Sequence, residues 1–162
     1  MHGFSKRDVR YQGAVVQDGQ LLLIQHTHHE TGRAAWVLPG GGIEPGESEN
    51  ACVARELLEE TSLSIAVERL IVHQTLSPND YYVSRKTYLC RVLTGDVAPG
   101  FDPEPYAAAS YGITGVAWIP LAAPERWDEG VCRNHWLLPQ LHAIAAGIQI
   151  TTHTTTPHDT QF

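Results

Sequence analysis

The stretch Gly41 to Leu63, GGIEPGESENACVARELLEETSL, constrains this chain more than any other, because it crowds glutamates around a single Arg at a spacing that a solvated helix has little reason to adopt. Ser48 suits an N-cap and Glu49 a first turn. Ala51, Ala54, Leu57 and Leu58 recur at helical intervals, so the second half reads as an amphipathic helix. Gly40-Gly41-Gly42 and Pro45-Gly46 ahead of it read as loop. On the helix, Glu56, Glu59 and Glu60 fall at i, i+3 and i+4, on neighbouring turns of one face. Each like-charged pair opposes the helix by roughly 0.2–0.5 kcal/mol, and anions in the last turn oppose the macrodipole by about 0.3–1 kcal/mol. A hard divalent cation reverses both signs, since it seeks oxygen ligands and is commonly held by a few carboxylates together with water and substrate phosphate. Broken local rules of this kind tend to mark a site. A solvated acidic face on which Arg55 pairs with a neighbouring Glu would account for a lone Glu-Glu doublet, but not for this spacing.

Taken in order, Gly41 is followed after five residues by Glu47, after seven more by Arg55-Glu56-Leu57, then by Glu59-Glu60 and, one residue on, by Ser62-Leu63. This resembles the Nudix box of the Nudix (MutT-like) hydrolases, a loop-helix-loop that in that family binds divalent metal and the diphosphate of a nucleoside diphosphate linked to another group. Arg55-Glu56, Glu59-Glu60 and Glu47 match residue for residue, and Trp36 to Gly41 is similar to the strand and turn that commonly precede the box. Two positions depart. The family usually has Gly where this chain has Ser62, and a left-handed residue with a side chain costs roughly 1–2 kcal/mol there. Because Ser62 carries no metal ligand, the expected effect is on stability and not on chemistry. Many members also place a catalytic or metal-binding Glu on a later loop, before an Ile and ahead of a Trp resembling Trp118. Here that place reads Tyr111-Gly112-Ile113, without a carboxylate.

The resemblance implies a metal-dependent hydrolase that cleaves the phosphoanhydride of a nucleoside diphosphate derivative: a nucleoside triphosphate, ADP-ribose, a nucleotide sugar or a dinucleoside polyphosphate. It implies Mg2+, with Mn2+ as a substitute, held by Glu56, Glu59, Glu60 and the backbone carbonyl of Gly41. The catalytic set is then Glu56, Arg55 and Glu59. Arg55 orients the carboxylates through charge-assisted hydrogen bonds, and Glu47 steadies the loop or binds metal through water. The base is Glu56 or, alternatively, Glu104 reaching in from a later loop, and the box is preferred because a loop positions a base less well. Arg33, Arg85, Tyr106 and Glu104 are the candidate substrate-binding residues outside the box, with Lys86 a further cation in reach. Two rivals remain. One is a non-catalytic nucleotide-sensing module, whose usual sign is a damaged box. The other is a metal-dependent isomerase, for which no second catalytic set is evident.

At 162 residues with 43% hydrophobic content, the chain suits one domain over 1–149, followed by a Thr-rich tail over 150–162 that reads as disordered. A formal net charge of -7 argues against nucleic acid polymers and anionic membranes as partners and leaves a nucleotide to be met locally. Cys52, Cys90 and Cys132 have neither disulfide-framework nor zinc spacing, and Cys52 and Cys90 read as small apolar packing groups. The N-terminus lacks a signal-peptide core and no apolar run approaches bilayer length, so a soluble cytoplasmic protein is expected. A homodimer would be unsurprising on symmetry grounds.

Asp18-Gly19 between apolar runs over Ala14 to Ile24 reads as a tight hairpin, and Ile65 to Leu76 with Tyr82 to Leu93 as a second hairpin around Ser77 to Asp80. Gly95 to Gly112 reads as a long loop whose Phe101, Tyr106 and Tyr111 either stack on a base or pin the loop to the core. Gly115 to Leu121 reads as a last strand and Asn134 to Ile148 as a final helix, with Trp118 and Trp136 taken as packing residues. His26, His28 and His29 read as solvated imidazoles with no matching ligand set. The order of elements suggests a mixed β-sheet covered by helices on both faces, an α/β (α+β) arrangement that agrees with the three-layer α/β/α sandwich implied by the resemblance.

Overall fold

Asp18 and Gly19 both take positive φ, 50° and 73°, the conformation of a two-residue turn whose twist matches its strands. They close β1 (Arg7–Gln17) onto β2 (Gln20–His28), with Gln17 opposite Gln20 and Val16 opposite Leu21, in a computed structural model that describes residues 7–101 and 105–153. Beyond those pairs the strands part. β2 goes on to pair with β3 (Ala34–Val37), while β1 pairs Tyr11 and Gln12 with Gly41 and Gly40 of β4 (Gly40–Gly41). The segment Ala34 to Gly41 therefore crosses from one strand to the other through the gap, and Gly13 N donates to Pro39 O at 3.0 Å to hold it there.

The other edge of β1 runs parallel to β6 (Tyr82–Thr94), which pairs antiparallel with β5 (Ser64–Thr75), and β7 (Tyr111–Pro120) runs antiparallel to β2. The result is a mixed seven-stranded open sheet in the order β3-β2-β1-β6-β5, with β4 on β1 and β7 on β2. Side chains alternate across it. Tyr11 and Val15 join Cys52, Val53 and Leu57 of α1 (Glu49–Thr61) on one face, whereas Ala14 joins Leu21, Leu23, Leu141 and Ile144 on the other, the last two from α4 (Leu138–His153). Helices thus cover both faces, as expected. Gln12, on the α4 side, is fully buried, and its Nε2 donates to Thr87 Oγ1 at 2.8 Å and Gln140 Oε1 at 2.9 Å, tying β1, β6 and α4 together. Cys52 and Cys90 are free thiols buried in the core, each pushed up to about 12 chiefly by burial, in keeping with a packing role.

Several boundaries differ from the sequence reading. The stretch read as a long loop contains α2 (Pro105–Ser110), and β7 begins at Tyr111 because pairing with β2 resumes past a bulge at Thr114. The Thr114 hydroxyl lies 2.6 Å from that of Thr27 across the bulge. Glu129–Cys132 forms a short α3, and Asn134 caps a turn by accepting from Leu137 N at 2.9 Å, so α4 starts at Leu138 and continues to His153. The remainder of the Thr-rich tail lies outside the described residues. No described helix is long and apolar enough to cross a membrane.

Both ends of α1 are closed without a basic residue in the last turn. At the start, Ser48 Oγ accepts from Ala51 N at 3.1 Å. At the end, Ala98, Gly100 and Phe101 donate their amides to the carbonyls of Thr61, Glu60 and Glu59 at 3.0, 2.9 and 3.0 Å, satisfying acceptors that a helix leaves open. The approach is so close that a Cβ on Gly100 would sit 1.8 Å from Glu59 O. Ser62 follows in the left-handed conformation, φ 65° and ψ 10°.

Ser62→Gly is expected to stabilise the fold by about 1 kcal/mol, the left-handed strain less the extra backbone entropy of Gly, seen as a higher urea midpoint at unchanged slope. A lower midpoint would show that the position is not strained. A second expectation concerns His26 on β2, which burial first and the Arg10 charge second lower from 6.5 to about 4. The folded protein keeps this ring neutral while the unfolded chain protonates it, so the stability it allows is whole above about 6.5 and falls away as pH drops toward 4. Chemical denaturation of wild type and His26→Gln at several pH values should show about 2–3 kcal/mol less acid sensitivity in the variant. Identical slopes would remove His26 as the cause.

Candidate active site

The i, i+3, i+4 glutamates of α1 do not share one environment. Glu56 and Glu60 are 1% and 0% exposed, while the Glu59 side chain keeps 22% of its surface. The buried pair faces the glycine turn that the parting of β1 and β2 draws into the interior. Glu60 Oε1 accepts from Gly40 N at 3.3 Å, and a Cβ on Gly41 would meet Glu56 Oε1 at 2.4 Å, so glycine alone lets the main chain run beside that carboxyl group. Glu56 and Glu60 also share a hydrogen bond. Burial raises Glu56 to about 7, against the opposing pull of Arg55 and Arg10.

Arg55 connects the loop before α1 to the helix. Its Nε and Nη2 donate to the two oxygens of Glu47 at 2.7 and 2.9 Å, and Nη2 also donates to Gly42 O at 3.1 Å. Nη1 donates to Glu56 Oε1 at 3.0 Å and Glu59 Oε2 at 3.2 Å. Glu47 in turn accepts from Glu44 N at 3.2 Å, and its hydrogen bonds to Arg55 hold it below the usual carboxylate range. A two-point fork of this kind fixes direction as well as distance. Glu49, at the start of the helix, accepts from Lys86 Nζ at 2.7 Å, Tyr11 OH at 3.4 Å and Tyr88 OH, with Lys86 the main cause of its lowered pKa.

The fold thus brings together Gly41, Glu47, Arg55, Glu56, Glu59 and Glu60. The other candidates lie elsewhere. Arg33 is exposed in the β2–β3 turn, where its carbonyl accepts from His28 N at 2.8 Å. Arg85 is buried on β6, donating to Gln74 Oε1 at 2.8 Å with its guanidinium 5.0 Å from the ring of Trp136. Glu104 lies outside the described residues, as does the side chain of Tyr106, whose backbone is in α2. Gly112 pairs with Thr27, and a Cβ there would meet the His29 ring at 3.2 Å, so the place of the family's later Glu is beside a loop histidine.

Two readings need correction. His28 and His29 do hold surface turns, His28 Nδ1 accepting from the amides of Glu30 and Thr31, but His26 is drawn inward by the β2 pairings. Trp118 packs on the core as expected, whereas Trp136 remains 41% exposed because Asn134 turns the chain away just before α4. Sequence reasoning missed Arg10, whose charge reaches Glu56 and whose Nη2 donates to Leu38 O at 3.0 Å. The only available signal was its parity with Gln12 along β1. Among the described residues no three His, Cys, Asp or Glu side chains form a ready-made metal cage, since Arg55 spans the carboxylates.

A sequence model of the NUDIX domain matches residues 9–137. The chain is 34% identical over 105 residues to putative nudix hydrolase 1 of Caenorhabditis elegans, covering 65% of this chain and 27% of that protein. It is 31% identical over 90 residues to the NAD-capped RNA hydrolase NudC of Photobacterium profundum, covering 55% and 32% respectively. The chain therefore spans about a third or less of the length of these curated relatives. Among solved structures, a NUDIX hydrolase from Nitrosomonas europaea superposes with a TM-score of 0.65 at 27% identity, covering 88% of this chain and 90% of that one. Since the matched span takes in the parted strands, the glycine turn and the whole of the Glu-Arg helix, the chain belongs to the Nudix family.

Proposed function

We propose that this chain is a Nudix-type pyrophosphohydrolase, using Mg2+ or Mn2+ to cleave the phosphoanhydride of a nucleoside diphosphate derivative. The observation that carries the proposal is the buried Glu56–Glu60 pair set against the backbone of Gly40-Gly41. Burial raises Glu56 to about 7 beside Glu60, and a hard cation would supply the charge that burial of these carboxyls demands. The donors fit such an ion: oxygens only, from Glu56, Glu59, Glu60 and the carbonyl of Gly41. When bound, the metal neutralises phosphate charge and makes water a better nucleophile.

The chain's own groups do the rest. Glu56 takes the proton of the attacking water, placed for it by the glycine turn on one side and Arg55 on the other. Arg55 holds Glu56 and Glu59 through one nitrogen and is itself held by both oxygens of Glu47, so the carboxylates keep their directions when the substrate's charge arrives. The amides of Ala98, Gly100 and Phe101 keep the last turn of α1 from fraying beneath Glu59 and Glu60. Arg33, Tyr106 and Glu104 stay candidates for contact with the part of the substrate beyond the diphosphate, and the substrate classes in view are nucleoside triphosphates, ADP-ribose, dinucleoside polyphosphates and nucleotide sugars. Cytoplasmic location and a homodimer belong to the same proposal.

Chromatographic detection of the nucleoside monophosphate and the second phosphorylated product across those four classes, with and without Mg2+, tests it. Wild type should turn over at least one class only with metal. Glu56→Gln should lose about a thousandfold in kcat, equivalent to ~4 kcal/mol, while Glu104→Gln stays near wild type. The reverse pattern would move the base to the loop. Arg55→Lys should lose roughly tenfold to a hundredfold, since an ammonium cannot bridge Glu47 and Glu56 with a planar fork. Nucleotide binding without turnover of any class would instead favour the sensing module.

A further inference from the structure

A cavity of about 230 Å³ opens between β1, β2 and β3, walled by Arg10, His26, Val37, Asp80, Tyr82 and Trp136. Its polar lining is poorly served. Arg10 Nε and His26 Nε2 are buried and have no hydrogen-bond partner among the described residues. Next to the wall, Arg85 is only 5% exposed and stacks on Trp136, and its Nε and Nη1 are likewise buried without partners. Arg85 has one bonded nitrogen, Nη2 to Gln74. The two guanidiniums also repel: Arg10 adds to burial in lowering Arg85 to about 10. The facing carboxylate, Asp80, acts on Arg85 in the opposite direction but falls short of offsetting burial and Arg10, and its Oδ2 accepts from Ser77 N at 3.0 Å.

Left alone, this cluster destabilises the fold, because buried donors without acceptors and like charges side by side are both unfavourable. A chain of net charge -7 that nonetheless gathers arginines with unserved nitrogens around a cavity has an evident use for them. Arg has no acceptor and stays charged, so the missing group must accept only, and a negative charge relieves the repulsion as well. The aromatic walls leave room for an uncharged body beside it, with Tyr82 already 6.0 Å from the Arg10 guanidinium. The cavity is joined to the acidic site through the chain, since Val37 lies in its wall and Arg10 bonds to Leu38 O, immediately before the turn that meets Glu56 and Glu60.

We propose that the cavity between Arg10, His26 and Trp136 binds an oxyanion, a phosphate or a carboxylate, carried by the substrate beyond its scissile diphosphate. The binding rests on the cavity alone; its assignment to the substrate rests on the hydrolase reading. Specificity then favours derivatives with an additional anionic group on the distal moiety over those ending in a neutral sugar.

Calorimetric titration of the full chain in EDTA with inorganic phosphate, acetate and guanosine separates the sources of the acceptor. Saturable binding of phosphate, of acetate, or of both is expected, and the stronger of the two names the oxyanion. Arg10→Met and Arg85→Met should each weaken it by about tenfold or more, as loss of a charge-assisted hydrogen bond does. Arg91→Met, at an exposed arginine of β6, should leave it unchanged. Arg85→Met should also raise the Tm of the ligand-free protein, and wild type should gain more in Tm from the oxyanion than either cavity variant does. If Arg85→Met fails to fold, Arg10→Met carries the same comparison. The proposal is overturned if neither anion binds, if binding survives both Arg substitutions intact, or if guanosine alone binds in an Arg10-dependent way. Because metal and turnover are absent from the measurement, this failure leaves the hydrolase reading standing, and loss of hydrolysis in the substrate panel leaves this one standing.

Discussion

The early parting of β1 and β2 is the constraint on which the rest of the structure depends. After the pairs Val16–Leu21 and Gln17–Gln20 the two strands separate, and Ala34 to Gly41 pairs first with one and then with the other. Backbone groups exposed by the parting would otherwise lie unpaired in the interior. Filling the gap with a strand that ends in glycines places bare main chain in front of α1, where any side chain at Gly41 would collide with Glu56. The same gap leaves Arg10, His26 and Val37, one from each of the three strands, around a common cavity. A single irregularity in strand pairing thus generates both the acidic floor and the basic pocket next to it.

The acidic helix survives because its local conflicts are answered by distant groups. The last turn, with Glu59 and Glu60, holds no basic residue of its own, and the backbone amides of Ala98, Gly100 and Phe101 supply the positive ends of dipoles there. Arg55 spreads one charge over Glu47, Glu56 and Glu59, which tempers their repulsion and fixes the loop that starts the helix. Burial still outweighs Arg55 and Arg10 at Glu56, raising it to about 7 where it meets Glu60 and the glycine turn.

Features decided within a few residues were legible in the sequence. Ser48 as a cap, Asp18-Gly19 as a turn and Ser62 as a left-handed terminus follow from local sterics and local hydrogen bonds, and the structure has all three. The box was legible for the same reason, since Arg55, Glu56, Glu59 and Glu60 need only a helix to become neighbours. His26 and Trp136 were misread because their surroundings come from strands and turns far along the chain. A period of two says that Arg10 and Gln12 share a face of β1, but not that Gln12 meets a buried amide of α4 while Arg10 meets the edge of a cavity. Likewise the start of β7 at Tyr111 depends on a bulge that lets pairing resume, and Thr114 carries no residue-type signal for it.

Arg55, Arg10 and Arg85 show how one residue type serves opposed ends in an acidic chain. Arg55 has carboxylate or carbonyl oxygens at every nitrogen, so its fork is committed to the protein and acts by fixing directions. Arg10 and Arg85 each spend one nitrogen on a neutral oxygen, of Leu38 and of Gln74, and bury others without partners among the described residues. A guanidinium committed to the protein gains nothing from an incoming anion, whereas one held short of acceptors gains both the bond and the neutralisation. The division of labour follows from partner count: the saturated arginine fixes the directions of the carboxylates around it, and the unsaturated pair is what the proposed oxyanion would meet.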